Sequence, residues 1–270
     1  MAFEEWDDDQ SNSRPDLSIH RAWIHLVLNE TLGFEGLLIE GQSIPQTLRV
    51  QIAEYGVLLR VSGGKERMAT LLTPAFIEAA GLPADPDALA AEVGRWHARK
   101  TAIYTEMVAQ GRLPARPGVA RIIAAAQDAG WTLGVCSTSA EASVRAILDH
   151  VAGPSRAARF DLVLAGDVVA HKKPAPDIYR LAVERLGVPP GSILVIEDSR
   201  NGLLAARAAG LRCVVTVNGY TRDEDATEAI LVVTSLGDPG GERTAVLADR
   251  ASVRPGDLVT LADLEACLAT

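Results

Sequence analysis

The chain has 270 residues, 48% of them hydrophobic and 23% charged, with a formal net charge of −9 and a pI near 5.1. A chain this long buries about 70–75% of its unfolded surface, and its composition excludes a disordered segment, a collagen-like repeat and a disulfide mini-protein. The acidic balance argues against a nucleic-acid or anionic-membrane binder, which needs a basic face, but leaves anionic small molecules open because a few local cations decide that.

The first nine residues are acidic, ending in Asp7-Asp8-Asp9, and carry no apolar stretch of the kind a secretory signal requires. No apolar run approaches the ~20 residues of a membrane span. Cys136, Cys213 and Cys267 are scattered and odd in number, so they read as reduced, buried thiols and not as a disulfide framework or zinc site. These features set the expectation of a soluble, cytoplasmic protein without nucleic-acid or membrane partners.

Helical periodicity covers 21–32, 46–61, 65–72, 87–96 and 99–109, with no convincing strand among them. The expectation is a helical insert over residues 17–113, closed by the Gly- and Pro-rich stretch 111–118. Inside it, Gly63-Gly64-Lys65-Glu66-Arg67 puts two basic residues in the first turn of a helix, against the macrodipole preference for acids there. That placement points to an anionic ligand held by Gly64, Lys65 and Arg67; a plain helix start with solvated Lys65 and Arg67 is the alternative.

From Gly118 the pattern changes. A helix at 119–129 stops at Gly130; then come a strand at 132–136, a helix at 141–150, a strand at 160–165, a helix at 177–186, a strand at 192–196, a helix at 203–209 and a strand at 212–217, with 229–233 a candidate for one more. Short apolar strands alternating with helices predict an α/β, Rossmann-like parallel sheet covered on both faces. Ligands of such sheets bind beyond the carboxyl ends of the strands. The polar clusters Ser137-Thr138-Ser139, Gly166-Asp167 and Glu197-Asp198-Ser199 lie at those ends.

Glu197 and Asp198 are adjacent acids between a strand and a helix. Two carboxylates that close need a hard cation or hydrogen-bond donors between them, and Mg²⁺ takes one or two carboxylates plus phosphate oxygens; Asp198 as a helix N-cap is the competing reading. Lys173 precedes Pro174, whose ring restricts the backbone and so aims the lysine. An ammonium so aimed can neutralise a transferring phosphoryl group, whereas Lys172 reads as its solvated neighbour. Ser137, Thr138 and Ser139 offer hydroxyls and amides at a helix start, either for an anion or for simple capping.

These pieces, in this order, resemble the haloacid dehalogenase-type phosphohydrolases, and among them the CbbY group, neighbours of the β-phosphoglucomutases. The resemblance rests on Gly63-Gly64-Lys65-Glu66-Arg67, Arg116-Pro117-Gly118-Val119, Ser137-Thr138-Ser139, Gly166-Asp167-Val168-Val169, Lys172-Lys173-Pro174-Ala175-Pro176-Asp177 and Glu197-Asp198-Ser199. It implies a core from 1–16 and 114–270 with a helical cap at 17–113 that closes over substrate. It further implies a Mg²⁺-dependent phosphatase for a sugar phosphate or bisphosphate resembling xylulose 1,5-bisphosphate, working as a monomer through an aspartyl phosphate. Asp7 is then the nucleophile and Asp9 the acid and base, from Asp7-Asp8-Asp9, where Gln10 replaces the family's glycine. Ser137, Thr138 and Ser139 hold the phosphoryl oxygens and Lys173 balances their charge. Lys65, Arg67 and Arg116 grip a second phosphate, and Asp7, Asp9, Asp198 and Glu197 surround the metal. A sugar-phosphate mutase and a phosphate-binding homologue without a working nucleophile are the rival readings, the latter because Asp7-Asp8-Asp9 also reads as an acidic tail.

Overall fold

A computed structural model describes residue 58 and residues 60–269, which divide into two units between Met107 and Val108. The first unit holds α1 (Gly64–Thr70), α2 (Pro74–Ala79) and most of α3 (Pro86–Ala109). Gly63 enters α1 at φ 94°, a region where a Cβ is strained. Pro74 opens α2 behind Thr73, whose hydroxyl accepts the Phe76 amide at 3.2 Å. Met68, Phe76, Val93 and Trp96 are the buried centre that holds the three helices together. The sequence predicts two helices where α3 is one, because His97 and Ala98 contain no breaker and Gly94 weakens a helix interior by only ~1 kcal/mol.

The second unit alternates helices and strands: α4 (Val119–Asp128), β1 (Gly134–Ser137), α5 (Glu141–Ala152), α6 (Pro154–Ala157), β2 (Leu162–Ala165), α7 (Asp177–Leu186), β3 (Leu194–Glu197), α8 (Arg200–Ala208), β4 (Arg212–Thr216), β5 (Leu231–Val233), β6 (Val246–Asp249) and α9 (Leu261–Ala269). β1 pairs with β2 in parallel, and β3, β4 and β5 form a parallel run to which β6 adds antiparallel. That last strand, α2, α6 and α9 lie outside the predicted elements.

Side-chain alternation explains why three consecutive residues of β4, Cys213, Val214 and Val215, are apolar. Cys213 and Val215 pack with Ile178, Tyr179, Leu203 and Ala206 of α7 and α8. Val214, between them, packs instead with Ile122 of α4, Leu231 and Val233 of β5, and Leu264 and Cys267 of α9. Both faces are therefore covered, as a parallel sheet requires. Leu203 is fully buried, and burial of one such side chain stabilises by ~1.5–3 kcal/mol. The consequence for function is positional: Ser137 ends β1 and Glu197 ends β3, so the polar clusters gather at the carboxyl ends.

Candidate active site

The centre of the site is a buried ion pair. The Lys173 ammonium donates to Glu197 Oε1 at 2.5 Å and to the Cys136 carbonyl at 2.8 Å, with the Tyr179 hydroxyl at 3.3 Å. The lysine and glutamate side chains are 10% and 9% exposed. Tyr179 donates its own proton to the same Glu197 oxygen. Lys173 thus joins the end of β1, through Cys136, to the end of β3, through Glu197. Burial, then the nearby Glu197 carboxylate and the hydrogen bond to it, push the Tyr179 phenol well above its ordinary range. Burial pushes the Cys136 thiol up to about 11, so it is a neutral wall of the site. Lys172, expected as the solvated neighbour, is instead largely buried, its side chain 14% exposed, and forms an ion pair with Asp167 at 2.8 Å.

The two acids at the end of β3 have different surroundings. Glu197, expected beside a metal, is engaged by Lys173 and Tyr179. Asp198 is exposed. The capping function it competed for belongs to Ser199, whose hydroxyl accepts the Gly202 amide at 3.3 Å as N-cap of α8. Asp198 makes no hydrogen bond or ion pair among the described residues, which leaves a hard oxygen donor open to water. That chemistry fits Mg²⁺, which keeps several waters and takes one or two carboxylates with phosphate oxygens.

Ser137, Thr138 and Ser139 are half-buried between β1 and α5. The Ser137 hydroxyl accepts the Ser139 amide at 3.1 Å, a local turn, while Ala140 caps α5 without any side-chain bond. Capping therefore does not account for the three hydroxyl residues. Asp7 and Asp9 lie outside the described residues.

Arg116 points its guanidinium at the ends of β4 and β5: to the Thr216 carbonyl and hydroxyl at 3.0 Å each, the Val217 carbonyl at 2.7 Å and the Thr234 carbonyl at 3.2 Å. Burial lowers its pKa, opposed by Asp198 and Glu242. Its donors clasp backbone, a different task from gripping a second phosphate.

In the first unit, Lys65 is exposed. Arg67 is buried and sends Nε and Nη2 to the Val61 carbonyl at 3.0 and 2.8 Å. A Cβ on Gly64 would lie 2.8 Å from His97 Nε2, so this glycine admits an imidazole. Lys100 is absent from the sequence expectations yet is 6% exposed, 5.9 Å above the Tyr104 ring, with no hydrogen bond or ion pair among the described residues. Burial, then Arg67, lowers its pKa to about 8. Its signal was in the sequence as a lone lysine on a helix face, four residues before Tyr104, but helical lysines are ordinarily solvated.

A family model for haloacid dehalogenase-like hydrolases matches residues 19–210. A CBBY-like protein of Arabidopsis thaliana is 44% identical over 193 residues, 70% of this chain and 59% of that protein, so the chain spans less than two thirds of that relative. Protein CbbY of Cereibacter sphaeroides is 41% identical over 188 residues, 70% of this chain and 78% of that protein. A crystal structure of a CbbY mutant from Rhodobacter sphaeroides in complex with xylulose-(1,5)bisphosphate superposes with a TM-score of 0.66 at 36% identity, covering 79% of this chain and 89% of that one.

Proposed function

The chain belongs to the haloacid dehalogenase-like hydrolases, in their CbbY-like group, and from that premise we propose that it is a phosphatase of phosphorylated sugars, with a sugar bisphosphate such as xylulose 1,5-bisphosphate as substrate. The observation that carries this reading is the buried Lys173, held at the carboxyl ends of β1 and β3 by Cys136 and Glu197, whose neighbour Asp198 is exposed and makes no hydrogen bond or ion pair among the described residues.

In this reading an oxygen of the Asp7 carboxylate attacks phosphorus and the bond from phosphorus to the sugar oxygen breaks. Asp9 gives its proton to the departing sugar oxygen, then takes one from the water that hydrolyses the aspartyl phosphate. Lys173 neutralises charge on the phosphoryl oxygens, and Ser137, Thr138 and Ser139 donate to them. Asp198, with Asp7 and the Asp9 carbonyl, would hold Mg²⁺, which supplies further neutralisation of phosphoryl charge. Lys65 and Lys100 are assigned to the second phosphate, Lys100 because a buried ammonium without a partner among the described residues is costly until an anion joins it; Arg67, like Arg116, spends donors on a backbone carbonyl, that of Val61.

A second reading rests on the family match, which starts at residue 19, downstream of Asp7 and Asp9: a phosphate-ligand-binding protein without a nucleophile. Inorganic phosphate release from xylulose 1,5-bisphosphate and from sugar monophosphates, with Mg²⁺ present, separates the two. The phosphatase reading expects turnover by the parent and a drop of at least about a thousandfold in Asp7→Asn. Background release by the parent sinks it, and full activity in Asp7→Asn relocates the nucleophile.

A further inference from the structure

We propose that Tyr179 and Gly202 are positioning residues for the phosphoryl-binding lysine, acting through Glu197: together they seat the Glu197 carboxylate so that it holds the Lys173 ammonium in one direction. The inference deepens the phosphatase reading and rests on it only for its kinetic arm.

An ammonium has three donors, and those of Lys173 meet Glu197 Oε1, the Cys136 carbonyl and the Tyr179 hydroxyl. The backbone carbonyl cannot move without moving β1. The glutamate, by contrast, is a flexible side chain, and something must keep it at the lysine. Tyr179 does so from one side, because its hydroxyl donates to the same Oε1 while its ring lies 4.9 Å from Nζ. Its own place is secure, in the first turns of α7 and 5% exposed in the core.

Gly202 does so from the other side by having no side chain. A Cβ there would sit 1.9 Å from Glu197 Oε2 and 2.1 Å from Cδ, inside the carboxylate's own volume. Gly202 lies within α8, where alanine is the better helix former by ~1 kcal/mol, and no positive φ calls for glycine. The glycine is explained by the carboxylate that occupies its missing methyl. Since the obstructing atoms are the far end of a glutamate, Gly202→Ala leaves room to fold by expelling Glu197 from Lys173.

Two readouts test this on the full chain. In amine labelling with acetic anhydride, quantified by mass spectrometry, Gly202→Ala and Tyr179→Phe should each raise modification of Lys173, the former by roughly tenfold as a charge-assisted bond is lost, with Lys65 and Lys172 unchanged. In phosphate-release assays kcat should fall roughly tenfold in Gly202→Ala with KM within about twofold, and Gly202→Ala should have no further effect in a Glu197→Ala background, where there is no carboxylate to expel. Unchanged Lys173 labelling in both variants overturns the proposal, as does an undiminished Gly202→Ala effect without the Glu197 carboxylate. If Gly202→Ala does not fold, Tyr179→Phe decides by labelling. Should the parent release no phosphate, the phosphatase reading falls while labelling still decides this one.

Discussion

Replacing Lys173 by methionine isolates what the buried pair contributes. Methionine keeps the length and apolar stem of the lysine but removes the ammonium, leaving Glu197, 9% exposed in its side chain, with the Tyr179 hydroxyl as its remaining side-chain donor among the described residues. Breaking a buried pair from one side costs ~3–5 kcal/mol, mainly because the surviving charge is uncompensated. For a unit of this size each kcal/mol moves the midpoint by ~2–4 °C, so thermal unfolding at neutral pH should show a fall of roughly 6–20 °C. Adding Glu197→Gln removes the stranded charge, and the double variant should recover most of the loss although both lack activity. A Lys173→Met midpoint within a degree of the parent, or a double variant no more stable than the single one, would refute the argument that burial makes this pair costly to break.

Other expectations follow from neighbouring geometry. Arg116→Ala strips donors from carbonyls at the ends of β4 and β5 and should cost ~2–4 kcal/mol of stability with KM for a bisphosphate unchanged; a large KM rise at unchanged stability assigns Arg116 to substrate instead. Ser199→Ala removes the cap bond to Gly202 and should cost about 1 kcal/mol in urea unfolding. Lys100, lowered to about 8 from 10.5 by burial and Arg67, binds its proton less well in the folded than in the unfolded chain. Its destabilising effect is complete below pH 8 and is relieved as pH rises towards 10.5, by roughly 3 kcal/mol at most. The stability difference between the parent and Lys100→Met should therefore shrink over that window, and a difference independent of pH removes the buried charge.

Much of this was legible along the chain because it is local. Lys173 stands beside a proline, Glu197 and Asp198 follow an apolar strand, and helix 177–186 has the bounds its periodicity announces. The strands ending at the site were recognisable as apolar runs, although β6 and α9 were not, since β6 has exposed Val246 and Leu247 and so lacks the pattern of a buried parallel strand. The division of labour between Glu197 and Asp198 was not visible, because adjacent acids look alike until a third residue, Tyr179, approaches from another helix.

What sequence alone determined was the alternation of strands and helices from β1 to β5, the family, and the residues that carry charge to the strand ends: periodicity and turn chemistry are short-range and written in neighbours. Only tertiary structure decided how those charges are used. It gave Glu197 to Lys173, left Asp198 exposed, turned Arg116 onto backbone carbonyls and buried Lys100 with no counterion among the described residues. The reason is that desolvation and pairing depend on which distant segments meet, and no spacing along the chain records that.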